Sequence, residues 1–179
     1  MRQILLISAL ITLTGCGGNP TNDSPPAKVV RSGLINDETI ENAVCGHLAK
    51  KPGDLNDSDL TKVVELTLSY TPITDAGLKE LSKLKGLTHL YLNDTKITDA
   101  GLKELAKFKQ LKSISLQRTK ITDAGVRQLL KLPNLVELDL RITAVTKRGV
   151  LWVQKALPKC RLYVEFEKIS GLFLPRQNA

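Results

Sequence analysis

The hexapeptide Ile97-Thr98-Asp99-Ala100-Gly101-Leu102 decides the fold, because it recurs along the chain at a fixed interval of 24 residues. It stands at residues 73–78 as ITDAGL, at 121–126 as ITDAGV and, in a divergent form, at 145–150 as VTKRGV. A strand signal precedes each copy in the same register: Leu66-Thr67-Leu68, Leu90-Tyr91-Leu92, Ile114-Ser115-Leu116 and Leu138-Asp139-Leu140. Such a period indicates stacked units, each of which buries its apolar side against its neighbours.

The strand half of one unit is expected to fill the core with leucine. Leu90 and Leu92 alternate with Tyr91, so they point inward from a short strand. Thr95 should also turn inward where the chain leaves the strand, because its hydroxyl can satisfy backbone groups that no strand ladder reaches. Its equivalents in the other units are Thr71, Thr119 and Thr143.

The hexapeptide should begin a helix. Thr98 is placed as the N-cap, and Asp99 complements the helix dipole in the first turn. The side chains expected on the buried stripe of this helix are Leu102, Leu105 and Phe108. Gly101 is unusual so early in a helix, which suggests close backbone approach to the neighbouring unit, although a dispensable glycine would look the same.

This pattern resembles the leucine-rich repeat, L-x-x-L-x-L-x-x-(N/C/T)-x-I, over residues 55–165. The ITDAGL form is similar to the subfamily with cysteine at the consensus polar position, where this chain has threonine. The resemblance implies an α/β fold: a right-handed leucine-rich repeat solenoid with parallel strands on the concave face and short helices on the convex face. It implies a binding scaffold, not an enzyme, with no particular ligand.

The first sixteen residues contain the segments of a lipoprotein signal sequence in the usual order. Met1-Arg2 precedes an apolar stretch, residues 4–13, that is too short to span a bilayer. Leu13-Thr14-Gly15-Cys16 then resembles the bacterial lipobox, which implies a signal peptide over residues 1–15, lipidation of Cys16 and a lipid-anchored location in the cell envelope outside the cytoplasm. The alternative is an ordinary signal peptide with Cys16 as a bystander. Residues 16–34 are rich in Pro, Gly, Asn and Ser, which predicts a flexible tether.

The ends of the solenoid need caps. Residues 35–54 are predicted to contain a capping helix with Asn36 or Asp37 as its N-cap, and the repeats extend over 55–168, beginning with a degenerate copy at 55–60. A last strand at residues 161–164 is expected to slip by one residue relative to the repeat. Residues 169–179 lack the period and are expected to form a loose tail or to fold back as a plug.

Cys45 and Cys160 are predicted to be free, largely buried thiols. About four coils separate them, which at roughly 4.8 Å per strand places them near 20 Å apart. A disulfide requires Cα atoms within about 7 Å.

The outward side chains of the strands form rows at the 24-residue step, and they are the predicted contacts of a protein or glycan partner. Tyr91 is the expected anchor, because aromatic side chains contribute strongly to interfaces. The predicted set is Glu65, Thr67, His89, Tyr91, Asn93, Ser115, Gln117, Glu137, Asp139 and Arg141. Tyr70, Asp94 and Arg118 should lie at the rim.

The convex face offers an alternative. Two ladders of basic residues should run along the helices, Lys79, Lys103 and Arg127 in one and Lys83, Lys107 and Lys131 in the other. They would suit a structural envelope component that docks an anionic surface polymer or lipid. Glu80 and Glu104 lie at helix spacing from these lysines, however, which favours an ordinary solvated face.

Composition and motifs point away from catalysis. The net charge of +8 selects no partner. Glu65, His89 and Ser113 fall in one row, as a hydrolase would need, but no nucleophile turn or pair of oxyanion donors accompanies them. No cysteine pair has zinc spacing, and no aromatic-basic motif indicates nucleic acid. The sequence therefore predicts a monomer without cofactor, metal or nucleic acid.

Overall fold

The structure is a computed structural model that describes residues 34–165. The predicted signal peptide, Cys16, nearly all of the tether and the tail at 169–179 lie outside the described residues. The strands are β1 Glu65–Thr67, β2 His89–Tyr91, β3 Ser113–Ser115, β4 Glu137–Asp139 and β5 Arg161–Tyr163. The helices are α1 Glu38–Leu48, α2 Asp57–Lys62, a 3-10 helix Gly77–Lys83, α3 Asp99–Leu105, α4 Asp123–Leu129 and α5 Lys147–Ala156.

The five strands form one parallel sheet in the order of the chain, and the pairing keeps the 24-residue register throughout. Helices alternate with the strands from β1 to β5. The central strand residues therefore form one inward column, Leu66, Leu90, Ile114, Leu138 and Leu162, whose first four members are at most 1% exposed. The predicted leucine-rich repeat fold is confirmed.

The predicted one-residue slippage of the last strand is wrong. Arg161 pairs with Glu137 and Tyr163 pairs with Asp139, both at a full 24-residue step. The irregularity lies before the strand: Lys159 occupies the position of the buried Leu135 and is exposed. Cys160 packs against the core instead, so the apolar pattern appears shifted although the strand is not.

The inward threonines make the expected bonds. Thr95 Oγ1 donates to the Leu92 carbonyl at 2.7 Å, and Thr119 Oγ1 donates to the Leu116 carbonyl at 2.6 Å. Thr71 and Thr143 repeat the contact at 2.6 and 2.7 Å. Each hydroxyl satisfies a carbonyl at the exit of a strand, which is why a polar side chain is tolerated beside the leucine core.

Two helices cover the first coil. Asp37 caps α1 by accepting a hydrogen bond from the Ile40 nitrogen at 3.1 Å, and Ile40 and Val44 are fully buried. The segment predicted as a degenerate repeat forms α2, which starts with a capping box between Asn56 and Asp59. The Asp59 carboxylate also binds Lys50 at 2.6 Å, so an ion pair joins α2 to the turn that follows α1; its Asp59 side chain is buried and its Lys50 side chain is partly exposed.

The glycine of the hexapeptide does mark a close approach, but to a side chain and not to the backbone. A Cβ at Gly101 would overlap the Asp75 carboxylate of the preceding coil, and Gly125 stands in the same relation to Asp99. Cys45 and Cys160 are both free, as predicted. Cys45 is buried, whereas Cys160 is only half-buried, so the prediction of two largely buried thiols is right for Cys45 alone.

Candidate partner-binding site

The strand register brings the predicted contact residues together on one face. Glu65 lies beside His89, and Thr67 lies beside Tyr91. Beyond the strands, the row of Ser69, Asn93 and Gln117 is held by side chains: the Asn93 nitrogen donates to Ser69 Oγ at 3.2 Å, and the Gln117 nitrogen donates to Asn93 Oδ1 at 3.0 Å. The outward side of the sheet, here the concave face, is therefore a continuous polar surface.

A depression lies in the middle of the concave face. Ser113 and Ser115 of β3 are only 7% and 8% exposed, because both are small and their neighbours on the flanking strands are larger. The depression has a volume of about 200 Å³ and is lined by Tyr91, Ser113, Ile114, Ser115, Glu137, Asp139, Arg141 and Tyr163. A tyrosine thus borders it on the β2 side and another on the β5 side.

The floor of the depression is already hydrogen-bonded. Ser115 Oγ donates to Asn93 Oδ1 at 2.6 Å. At its edge, partial burial raises the pKa of the Tyr91 hydroxyl, and the charges of Glu65 and Glu137 and a hydrogen bond to Glu65 raise it further. The Tyr91 hydroxyl therefore stays protonated at neutral pH and can act as a hydrogen-bond donor.

The charged groups around the depression are paired with one another. Arg141 Nε and Nη2 donate to the two oxygens of Asp139 at 3.0 and 2.6 Å. Arg161 Nη1 lies 3.7 Å from Glu137. Near-neutral surroundings mean that a ligand would be recognised by shape, ring contact and hydrogen bonds more than by net charge.

Sequence reasoning missed two residues at the border of the depression, Arg161 and Tyr163, because β5 was expected to slip. Ser113 was expected in the outward row of Glu65, His89 and Glu137 but was not named as a partner contact. The signal was present, since Tyr163 stands one repeat after Asp139. At the rim, Tyr70, Asp94, Arg118 and Ile142 all have positive φ, and Tyr70 is 78% exposed.

The row that suggested a hydrolase is not assembled as a catalytic triad. His89 Nδ1 lies 2.8 Å from Thr88 Oγ1, in the place where an orienting carboxylate would be needed. Glu65 interacts with Tyr91 instead. Within residues 34–165 there is also no group of three or more metal-binding side chains. No helix in the same range is both long and apolar enough to cross a membrane.

The convex face is largely neutralised in its first coils. Lys83 binds Glu80 and Lys107 binds Glu104, both at 2.6 Å, and the hydrogen bond from Lys83 lowers the pKa of Glu80. Lys131 donates to Gln128 Oε1 at 2.8 Å. Arg127 lies over the ring of Trp152, 4.1 Å from its centre. The two predicted basic ladders consist of Lys79, Lys103 and Arg127 and of Lys83, Lys107 and Lys131. The contacts of these side chains therefore change from one coil to the next.

The comparisons with known proteins support the leucine-rich repeat fold. A family model described as Leucine Rich repeat matches residues 59–82 and 86–106. Leucine-rich repeats are therefore present within residues 59–106, and proteins built of such repeats are generally binding modules that use an extended concave surface.

Two solved structures from Listeria monocytogenes are similar to this chain. An internalin (InlF) has 22% sequence identity and a TM-score of 0.56, over 74% of this chain and 37% of the internalin chain. Internalin C2 has 23% identity and a TM-score of 0.54, over 74% of this chain and 66% of that chain. The chain thus spans from about a third to about two thirds of their length, and the likeness shows the fold. No curated protein matches the sequence.

Proposed function

We propose that this chain is a lipid-anchored, extracytoplasmic and non-enzymatic binding module that holds a protein or glycan partner on its concave face. The observation that carries the proposal is the depression over Ser113 and Ser115, bordered by Tyr91 and Tyr163. Two rings that flank a hydrogen-bonding floor can enclose an extended peptide or a sugar. The general use of leucine-rich repeats in protein binding favours a protein.

The anchor rests on the N-terminal sequence. Leu13-Thr14-Gly15-Cys16 supplies the acceptor cysteine, and the polar residues that follow would reach roughly 20–25 Å on average. That reach is long enough for the repeats either to stand clear of the lipid head groups or to rotate and touch them. Metabolic labelling with an alkynyl fatty acid should mark the protein in its host, and Cys16→Ser should abolish the label. Label that persists in Cys16→Ser would disprove lipidation at this residue.

Photo-crosslinking tests the binding face. A benzophenone amino acid at position 91 or 163 should yield a discrete adduct in the host, whereas the same probe at the convex position 103 should not. Mass spectrometry of the adduct decides between a protein and a glycan. Adducts at 103 alone, or none at all three positions, would overturn the proposal.

The three tyrosines of the chain provide a matched substitution series. Tyr91→Ala and Tyr163→Ala remove the rings at the depression, and each should weaken partner binding by about thirtyfold, the effect of losing an interface anchor. Tyr70→Ala removes an exposed ring at the rim and should change affinity little. Equal loss in all three variants would contradict the central role of the depression.

The alternative of a basic convex docking face now has uneven support. Glu80 and Glu104 pair with Lys83 and Lys107 in the first coils, whereas Lys79 and Lys103 form no ion pair within residues 34–165. The excess of basic over acidic side chains becomes larger towards α5.

A further inference from the structure

We propose that the outer side of α5 docks on the surface of a bilayer that contains anionic phospholipid. The surface consists of Arg127, Lys147, Arg148, Leu151, Trp152 and Lys155, hereafter the α5 patch. This proposal concerns a different surface from the concave face, and it does not depend on partner binding there.

The α5 patch departs from the repeat at each equivalent position. Where the earlier coils have Glu80, Glu104 and Gln128, α5 has Trp152. Where they have Lys79, Lys103 and Arg127, it has Leu151. Basic residues also replace acidic or small ones, since Lys147 stands in the position of Asp75, Asp99 and Asp123, and Arg148 in the position of Ala76, Ala100 and Ala124.

Acidic side chains are sparse around the α5 patch: Asp123 of α4 lies beside Gly149, and its carboxylate is bound by Thr146. Residues 140–164 contain no aspartate or glutamate. Of the basic residues in this segment, Arg141 and Arg161 pair with carboxylates of the concave face. Within residues 34–165, no ion pair involves Lys147, Arg148 or Lys155, in contrast to Lys83 and Lys107 of the earlier coils.

The apolar side chains of the α5 patch are exposed to solvent. Val150 and Val153 face the core and are at most 2% exposed, whereas Leu151 on the opposite side is 59% exposed. Trp152 is half-buried, and the guanidinium groups of Arg127 and Arg148 lie 4.1 and 5.4 Å from the centre of its ring. The cations therefore surround an amphipathic aromatic side chain and a leucine.

This combination favours a lipid surface over other occupants. Basic side chains attract anionic head groups, and tryptophan and leucine bury favourably at the boundary between head groups and acyl chains. A soluble anionic polymer would use the charges but would gain little from Leu151. The residues after Glu165 fit the basic α5 patch poorly, because they carry two basic side chains, Lys168 and Arg176, and one acidic side chain, Glu167. Since α5 lies on the convex side, docking there would leave the concave face directed away from the lipid.

Trp152 is the single tryptophan of the chain, so its fluorescence reports on the α5 patch alone. The full chain carrying Cys16→Ser is mixed with vesicles of phosphatidylcholine, with or without phosphatidylglycerol, whose acyl chains are brominated. Phosphatidylglycerol vesicles should shift the emission to shorter wavelength and quench it, and salt should reverse both effects. Binding through the apolar N-terminal stretch alone would leave Trp152 unquenched, and that result would overturn the proposal.

Matched charge reversals locate the effect. Lys147→Glu with Lys155→Glu should lower the vesicle partition coefficient by about tenfold or more, because each basic residue near an anionic surface contributes to binding. Glutamate at position 147 restores the acidic character of the earlier coils, so the fold should persist. Lys79→Glu with Lys103→Glu changes the net charge equally and should retain the quenching. Equal loss in both variants would show attraction by net charge alone and would refute the α5 patch.

A third variant separates lipid from polymer. Leu151→Ser should weaken vesicle binding while leaving the charge unchanged. Dextran sulfate serves as the soluble anionic probe. If it shifts Trp152 emission equally in the parent chain and in Leu151→Ser, while vesicles cause no quenching, the α5 patch is a polymer site and the lipid assignment is wrong. Circular dichroism of every variant verifies the fold.

Discussion

The carboxylate of Asp99 accepts two hydrogen bonds from Thr122 of the next coil, one from the backbone nitrogen at 2.8 Å and one from the hydroxyl at 2.6 Å. Asp75 binds Thr98 and Asp123 binds Thr146 with the same distances. The Thr122 hydroxyl in turn accepts from the Ala124 nitrogen at 3.2 Å. Each aspartate therefore orients the threonine that caps the following helix, so the hexapeptide joins consecutive coils.

Loss of this joint should destabilise the fold. Asp99→Ala leaves the Thr122 nitrogen and hydroxyl without their acceptor, which should lower the free energy of unfolding by about 1–3 kcal/mol. Urea denaturation followed by circular dichroism measures the change. Asp54→Ala is the control, because Asp54 is exposed and its carboxylate makes no hydrogen bond or ion pair within residues 34–165, and it should cost no more than about 0.5 kcal/mol. Equal midpoints for the two variants would contradict a structural role for Asp99.

The glycine of the hexapeptide should be intolerant of a methyl group. Gly125→Ala places a Cβ against Asp99 Oδ1 and must displace the carboxylate that caps the next helix, so a loss of about 1–3 kcal/mol is expected. Gly46→Ala is the control, because Gly46 lies in α1 with no atom within 4 Å of an added Cβ. That substitution should raise stability by up to about 1 kcal/mol through helix propensity. A Gly125→Ala variant as stable as the parent would show that the added methyl group is accommodated without disturbing Asp99, which would contradict the prediction.

Acid should weaken the link between α1 and α2. The hydrogen bond from Lys50 holds the pKa of Asp59 at about 2, although burial opposes this, and bonds from the Asn56 backbone and Lys62 assist. Because the folded pKa lies below the unfolded value of about 3.9, the stabilisation is present above about pH 4 and is lost as the pH falls through about 2. The urea midpoints of the parent and Asp59→Asn should therefore converge on acidification. Lys50→Gln should shift the acid limb of the parent to higher pH, and parallel curves for parent and Asp59→Asn would disprove the coupling.

Cys160 should react slowly despite its partial exposure. Burial, and secondarily the charge of Glu137, raises the pKa of its thiol to about 11, so little thiolate exists at neutral pH. In the Cys16→Ser chain, iodoacetamide should label Cys160 at a rate that increases about tenfold per pH unit between about pH 8 and pH 10 and levels off only near pH 11. Cys45 is 2% exposed and should label only in denaturant. Labelling of Cys160 at the rate of a free peptide thiol at pH 8 would contradict its assigned environment.

The period of the sequence was sufficient to predict the sheet register, the inward threonines and the N-cap role of Thr98, because each depends on spacing within one unit. The bond between Asp99 and Thr122 was missed since it joins different units, and Asp99 was interpreted only through the helix dipole. Tyr163 was missed because one substitution, Lys159, disguised the register of β5.

Local sequence also failed to predict one helix type. Residues 77–81 and 101–105 have the same sequence, GLKEL, yet the first lies in a 3-10 helix and the second in α3. Thr98 donates two hydrogen bonds to the Asp75 carboxylate, whereas the residue in the corresponding place before Thr74 is Lys51. The first helix accordingly begins without a side-chain cap.

Each aspartate of the hexapeptide accepts hydrogen bonds from the threonine of the following coil, and this direction bears on how such a chain can lengthen by duplication. A copied unit inserted between Ile73 and Ala144 would bring its own aspartate and meet a threonine on the next coil. A unit appended after α5 would meet Lys147, which has no acceptor to offer, and its helix would start unassisted. The fourth copy of the hexapeptide thus ends the series of aspartate–threonine bonds, which a unit duplicated within residues 73–144 would continue and a unit appended after α5 would not.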